Sequence, residues 1–264
     1  MMNLDDLGAH DDAPPAIPAA TVVIYRRNPE GGAAQTLMVI RSSKMRFAGG
    51  AVVFPGGRID PADHDLAASL DHGLEPMDAA ARIAGIRETL EETGLALGIV
   101  EAVSAESALA ARALLIEKCE LAPVLAAFGW TLALDRMVPF ARWLPRHRNM
   151  KVFDTRFYLY DVGTGAVEIS VDDTENHHMF WASPAEVLRR AGAGELEVIF
   201  PTRRNLERLA QFDDYAACRA HAETTPIITV TPHVEMRGET PWLVIPEGAG
   251  YPVIGEPIEN ARRG

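Results

Sequence analysis

The chain has 264 residues, 48% hydrophobic and 23% charged, a balance that supports one large domain with a buried core and excludes a disordered chain. The formal net charge of −12 argues against a general nucleic-acid binder, since a phosphate backbone needs basic faces. A small polyanion is still accommodated where metal ions and local arginines invert the field.

Two cysteines, Cys119 and Cys218, fit neither a zinc spacing nor a disulfide framework, which points to a reduced, cytoplasmic setting. The acidic, Pro/Ala-rich start lacks the basic and apolar regions of a signal peptide. No run approaches the ~18 apolar residues of a membrane span, so neither nucleic acid nor membrane is an expected partner.

Residues 1–18 read as a flexible lead-in, 19–221 as the folded domain and 222–264 as an extended C-terminal segment, packed on that domain or on a partner subunit. The β-branched run Thr21–Tyr25 and the run Gln35–Ile40 predict a hairpin around the Asn28–Gly32 turn. Ala51–Phe54 is a short buried strand ended by Pro55-Gly56-Gly57, and residues 58–77 read as an inserted loop. A helix is predicted over 78–93, with Asp78 as N-cap and Gly94 as its stop. Residues 104–127 predict a helix, and strands follow near 130–135, 138–144, 153–162 and 178–181. Ser183-Pro184 opens a helix as cap and first position, and another spans 201–212. Beyond 226 the Pro- and Val/Ile-rich tail predicts two extended segments around Arg237-Gly238-Glu239. This irregular interleaving favours an α+β fold, a mixed sheet with helices on both faces.

Within the 78–93 helix, Glu88, Glu91 and Glu92 fall inside an arc of roughly 100°, while Ile83, Ile86 and Leu90 occupy the opposite side. Alone, such a face is equally that of a solvated acidic helix, because like charges at this spacing cost only ~0.2–0.5 kcal/mol. The full string Arg87-Glu88-Thr89-Leu90-Glu91-Glu92-Thr93-Gly94-Leu95 resembles the second half of the Nudix box, with Thr89 in place of an aliphatic residue. The box runs Gly, five residues, Glu, seven residues, Arg-Glu. Here Arg87 comes thirty residues after Gly57 rather than fourteen, so about sixteen are inserted. Counted back from Arg87, the isolated Glu falls on Ala79, with adjacent Asp78 a partial substitute.

The resemblance implies a Nudix-type α/β/α sandwich, with extra C-terminal helices and tail, and a diphosphatase that needs Mg2+ or Mn2+. Glu88, Glu91, Glu92 and the Gly57 carbonyl are the implied metal ligands. Glu91, Glu92 and Arg87 are implied in catalysis, Arg87 by orienting a carboxylate. Such hard oxygen donors suit these ions. Glu175, in the acidic stretch Asp172–Glu175, is the candidate extra ligand or base, or is simply part of an acidic loop.

The preceding segment narrows the substrate. Leu37, Arg41, Ser42, Arg46, Gly50, Phe54, Pro55, Gly56 and Gly57 fall on the spacing of the coenzyme A diphosphatase branch, and that branch includes a peroxisomal relative with a comparable box insertion. Arg41, Lys44 and Arg46 supply three cations where a 3′-phosphate would need them. The resemblance continues through Phe153-Asp154-Thr155-Arg156-Phe157 and Pro201-Thr202-Arg203-Arg204. Coenzyme A or an acyl derivative is therefore the expected substrate. ADP-ribose, a nucleotide sugar or a dinucleotide is the alternative, and a non-catalytic ligand sensor is a third reading. The family also suggests a homodimer. His177 and His178 read as structural, Arg203 and Arg204 as salt-bridged, and Trp130, Trp143 and Trp181 as core.

Overall fold

The computed structural model describes residues 14–42, 50–146, 151–163 and 176–261, with the backbone alone at 176 and 177. Its main sheet runs β3 (Val52–Val53), β2 (Gln35–Arg41), β1 (Ile17–Arg26), β6 (Phe153–Asp161), β5 (Val138–Trp143), β8 (Thr229–Val230). Two strands leave this path: β4 (Gly56–Arg58) pairs with β1, and β7 (Asn176–Ala182) with β2. The β1–β6 and β5–β8 pairs are parallel and the others antiparallel, so the sheet is mixed.

Both faces are covered, as the alternation along β1 requires. Ala20, Val22 and Ile24 enter one apolar cluster, and Val23 and Tyr25 enter the other. The first cluster holds helices α1 (Pro61–Ser69), α2 (Pro76–Thr93), α3 (Ala105–Lys118) and α4 (Leu121–Phe128). The second holds α5 (Pro184–Gly192), α6 (Phe200–Leu209), α7 (Tyr215–Thr224) and α8 (Ile258–Ala261). The architecture is thus the α/β/α sandwich expected from the sequence.

Several local expectations change. The lead-in gives up Ile17 and Pro18 to β1, where Ile17 pairs with Phe153. The stretch 58–77 is not merely a loop: α1 occupies its middle, with Pro61 at the first position after Asp60. Helix α2 is capped by Glu75, whose carboxylate accepts from Asp78 N–H at 3.0 Å, and Asp78 lies inside the first turn. Pro76 at the first position was the overlooked signal. At the other end Gly94 takes φ 76°, and its N–H bonds the Leu90 carbonyl, as its placement predicted.

The 104–127 segment is two helices, because Cys119 adopts φ 58° and ends α3. The strand expected near 130–135 is absent; only Leu132 bridges Ile99, and Leu134–Arg136 form a 3-10 turn. Helix α7 lies mostly ahead of the tail, and the tail adds β8 to the main sheet and forms a separate three-stranded sheet of β11 (Gly255–Pro257), β10 (Thr240–Val244) and β9 (His233–Arg237), the last two joined at Gly238. No described helix is long and apolar enough to cross a membrane.

Candidate functional site

Helix α2 brings the acidic face onto the Gly56–Gly57 strand. The two glycines serve different ends. A Cβ at Gly56 would stand 2.3 Å from the Ala20 carbonyl oxygen, so Gly56 is required for β4 to lie against β1. A Cβ at Gly57 would stand 2.3 Å from Glu88 Cδ, so Gly57 makes room for the carboxylate itself. The Gly56 N–H donates to Glu92 Oε2 at 3.1 Å. Strand and helix are therefore joined at the points where the box places its glycine and its carboxylates.

The three glutamates differ in environment. Glu92 is buried, Glu88 has 17% of its side-chain area exposed, and Glu91 has 41%. Burial pushes the Glu88 carboxyl up to about 7; Arg87 opposes this, and Glu91 and Asp60 add to it. A half-buried carboxylate held above its usual range, on a glycine cradle, fits a site built for a cation. Among the described residues no three acidic, His or Cys side chains close on one point.

Arg87 is 4% exposed and does more than orient one carboxylate. Its Nε and Nη2 donate to the two Asp63 oxygens, both at 3.0 Å; Nη1 donates to Glu88 at 2.9 Å and Nη2 to the Arg58 carbonyl at 3.0 Å. Burial alone would lower its pKa, but Asp63 and Glu88 outweigh that and raise it.

Asp63 is the functional residue missed in the sequence. Counted forward from Gly57 instead of back from Arg87, the box's isolated acid falls on Asp63. Helix α1 keeps Asp63 at 1% exposure against Arg87. Asp63 also accepts from Asp60 N–H at 2.9 Å and so fixes the start of α1. Neither earlier candidate takes this role. Ala79 is in the apolar core, and Asp78 is bound to Arg82 at 2.9 Å and to the Tyr158 hydroxyl at 2.7 Å. The available signal was the five-residue spacing itself.

The other candidates are distributed unevenly. Arg41 ends β2, beside a register shift, with its N–H on the Ala51 carbonyl at 3.1 Å. Among the described residues its buried Nε has no hydrogen-bond partner. Lys44, Arg46 and Glu175 lie outside the described residues, as does the His177 side chain. Arg204 is salt-bridged to Glu207 at 3.0 Å and to Glu256 at 3.4 Å. Trp130 and Trp143 are in the core, and Trp181, packed against it, lies under the Arg26 guanidinium. Arg112, unremarked in the sequence, donates to the Glu91 carbonyl at 2.8 Å and closes the C-terminal turn of α2.

No protein-family model matches the chain. It is 23% identical over 202 residues to a Caenorhabditis elegans protein named as nudix hydrolase 7, a match covering 75% of this chain and 63% of that protein's length. A solved NUDIX hydrolase from Alicyclobacillus acidocaldarius is 26% identical with a TM-score of 0.66, covering 78% of this chain and 96% of that one. The chain thus shares the fold of a solved NUDIX hydrolase and brings a glycine, an arginine and carboxylates together where the resemblance in its sequence placed them.

Proposed function

We propose that the protein is a divalent-metal-dependent hydrolase of diphosphate-linked nucleotide derivatives, with coenzyme A or an acyl-coenzyme A as substrate. The observation that carries the reaction class is the packing of Glu88 and Glu92 on Gly57 and Gly56. Glu88, Glu91, Glu92 and the Gly57 carbonyl would hold Mg2+ or Mn2+, with Glu175 as a further ligand or base. When bound, the ion supplies charge neutralisation at the diphosphate oxygens and a more acidic water.

The chain's own residues account for the rest. Arg87, anchored on Asp63, fixes the Glu88 carboxyl and keeps it from turning into the helix. The Gly56 N–H holds Glu92 in line with the strand. Water adds to one phosphorus and the bridging oxygen leaves with the other, giving 3′,5′-ADP and 4′-phosphopantetheine from coenzyme A.

Substrate choice rests on the Leu37-to-Gly57 spacing and on Arg41, Lys44 and Arg46. The Nε of Arg41, without a partner among the described residues, supports it, since a buried donor without an acceptor is costly unless a ligand completes it.

The test is metal-dependent product release from coenzyme A, 3′-dephospho-coenzyme A, ADP-ribose and NADH. Coenzyme A should be preferred, and Glu92→Gln should abolish turnover with an unchanged thermal midpoint. If Arg41→Gln and Arg46→Gln lower turnover of coenzyme A and its 3′-dephospho form equally, the 3′-phosphate reading is wrong. Preference for ADP-ribose or NADH would reassign the substrate and leave the chemistry in place.

A further inference from the structure

One ladder row crosses the sheet from the glycine cradle to the far edge. Gly57, Ala20, Arg156, Arg142 and Thr229 are successive register partners on β4, β1, β6, β5 and β8. Such partners point to one face. Here it is the face that carries α2, since Ala20 belongs to the α2 cluster. A β-bulge between Pro139 and Ala141 turns Arg142 to this side while Trp143 enters the opposite core.

The far end of the row lines a cavity of about 180 Å3, together with Asp78 and Tyr158. That is space for roughly six waters. The C-terminal segment supplies one wall through Ile227 and Thr229. Strand spacing puts the backbone of Arg156 roughly 10 Å from that of Gly57, two steps along the row.

The charges here do not balance. Arg82 pairs with Asp78 at 2.7 Å. Arg142 binds Asp154 through Nε at 2.8 Å and Nη2 at 2.6 Å, which leaves its Nη1 for a ligand. The Tyr158 hydrogen is committed to Asp78. Arg156 is half-buried, and among the described residues no hydrogen bond or ion pair answers it. Three guanidiniums thus face two carboxylates. Burial and then Asp78 push the Tyr158 phenol up, and Arg82 and Arg156 oppose that rise.

We propose that this cavity binds a phosphate group, held by Arg156 with the free edge of Arg142 and the Thr229 hydroxyl. Two guanidiniums on adjacent strands and a hydroxyl present more donors than a carboxylate can use, whereas a phosphate offers three terminal oxygens. Two sources share this chemistry: a second phosphate on a substrate whose diphosphate lies at Glu88, and free phosphate acting as an effector. Neither requires the hydrolytic reading to be correct.

The experiment titrates the metal-free full-length protein in EDTA with inorganic phosphate by calorimetry. One equivalent should bind. Arg156→Gln should weaken binding at least tenfold without changing the thermal midpoint in phosphate-free buffer, and Arg156→Lys should retain part of it. Glu92→Gln should bind as the wild type does, which separates this site from catalysis. No binding by the wild type, or equal affinity in Arg156→Gln, overturns the proposal.

Kinetics then assign the source. If Arg156→Gln raises KM only for substrates bearing an additional phosphomonoester, the site serves the substrate. If added phosphate alters wild-type turnover and Arg156→Gln removes that response on all substrates alike, it serves free phosphate.

Discussion

Replacing Asp63 by Asn keeps the shape of the side chain and removes the charge that faces Arg87. Asp63 and Arg87 are 1% and 4% exposed, and two bonds of 3.0 Å join them. Breaking a buried ion pair costs about 3–5 kcal/mol, because a charge is left without its partner. Arg87 retains Glu88 at 2.9 Å and the Arg58 carbonyl at 3.0 Å, so we expect a cost at or just below the foot of that range, about 2–3 kcal/mol. For a chain of this size that corresponds to a fall in Tm of about 5–10 °C.

The assay is urea and thermal unfolding in EDTA, followed by a metal titration of activity. Asp63→Asn should need more metal for half-maximal rate, since Arg87 is then free to draw Glu88 away from Gly57. Asp63→Glu, which restores the usual residue of the box, should recover part of both effects. Asp60→Asn is the control: Asp60 lies 3.5 Å from Arg87 and has 28% of its side chain exposed, so its loss should cost less than about 1 kcal/mol. Ala79→Glu should not rescue Asp63→Asn, and should destabilise by burying an unpaired charge in the apolar core. If Asp63→Asn unfolds within about 0.5 kcal/mol of the wild type, or no differently from Asp60→Asn, then Asp63 is not the anchor of Arg87.

The two glycines should separate folding from chemistry. Gly57→Ala places a methyl against the Glu88 carboxyl; that side chain can move, so the thermal midpoint should hold while activity falls about a hundredfold or more, in line with a misplaced catalytic group. Gly56→Ala meets the Ala20 backbone and should lower soluble yield and Tm, which thermal shift measurements will show. Arg112→Met removes the donor that closes α2 at the Glu91 carbonyl and should cost about 1–2 kcal/mol in urea unfolding. Gly94→Ala, at φ 76°, should cost about 1–2 kcal/mol by the same measurement.

The legible part of the site was the part set by local geometry. Spacings of three and four residues put Glu88, Glu91 and Glu92 on one side of α2 whatever surrounds it, and Gly94 stops that helix by its own backbone freedom. The irregular interleaving of strands and helices likewise foretold a mixed sheet covered on both faces. Capping was less legible. Glu75 is an unusual N-cap, so Asp78 attracted the assignment, although Pro76 marked the first turn.

Tertiary packing decided which acid holds Arg87. Two countings of the interrupted box lead to Ala79 and Asp63, and only the docking of α1 on α2 selects Asp63, because a buried guanidinium needs a carboxylate within bonding distance and Ala79 faces apolar side chains. The row from Gly57 through Arg156 to Thr229 was equally hidden. Its residues come from five separate strands, and a single bulge in β5 determines that Arg142 faces the same side as Arg156. Spacing along a chain fixes neighbours on one helix; register between strands far apart in sequence is fixed only when the sheet assembles.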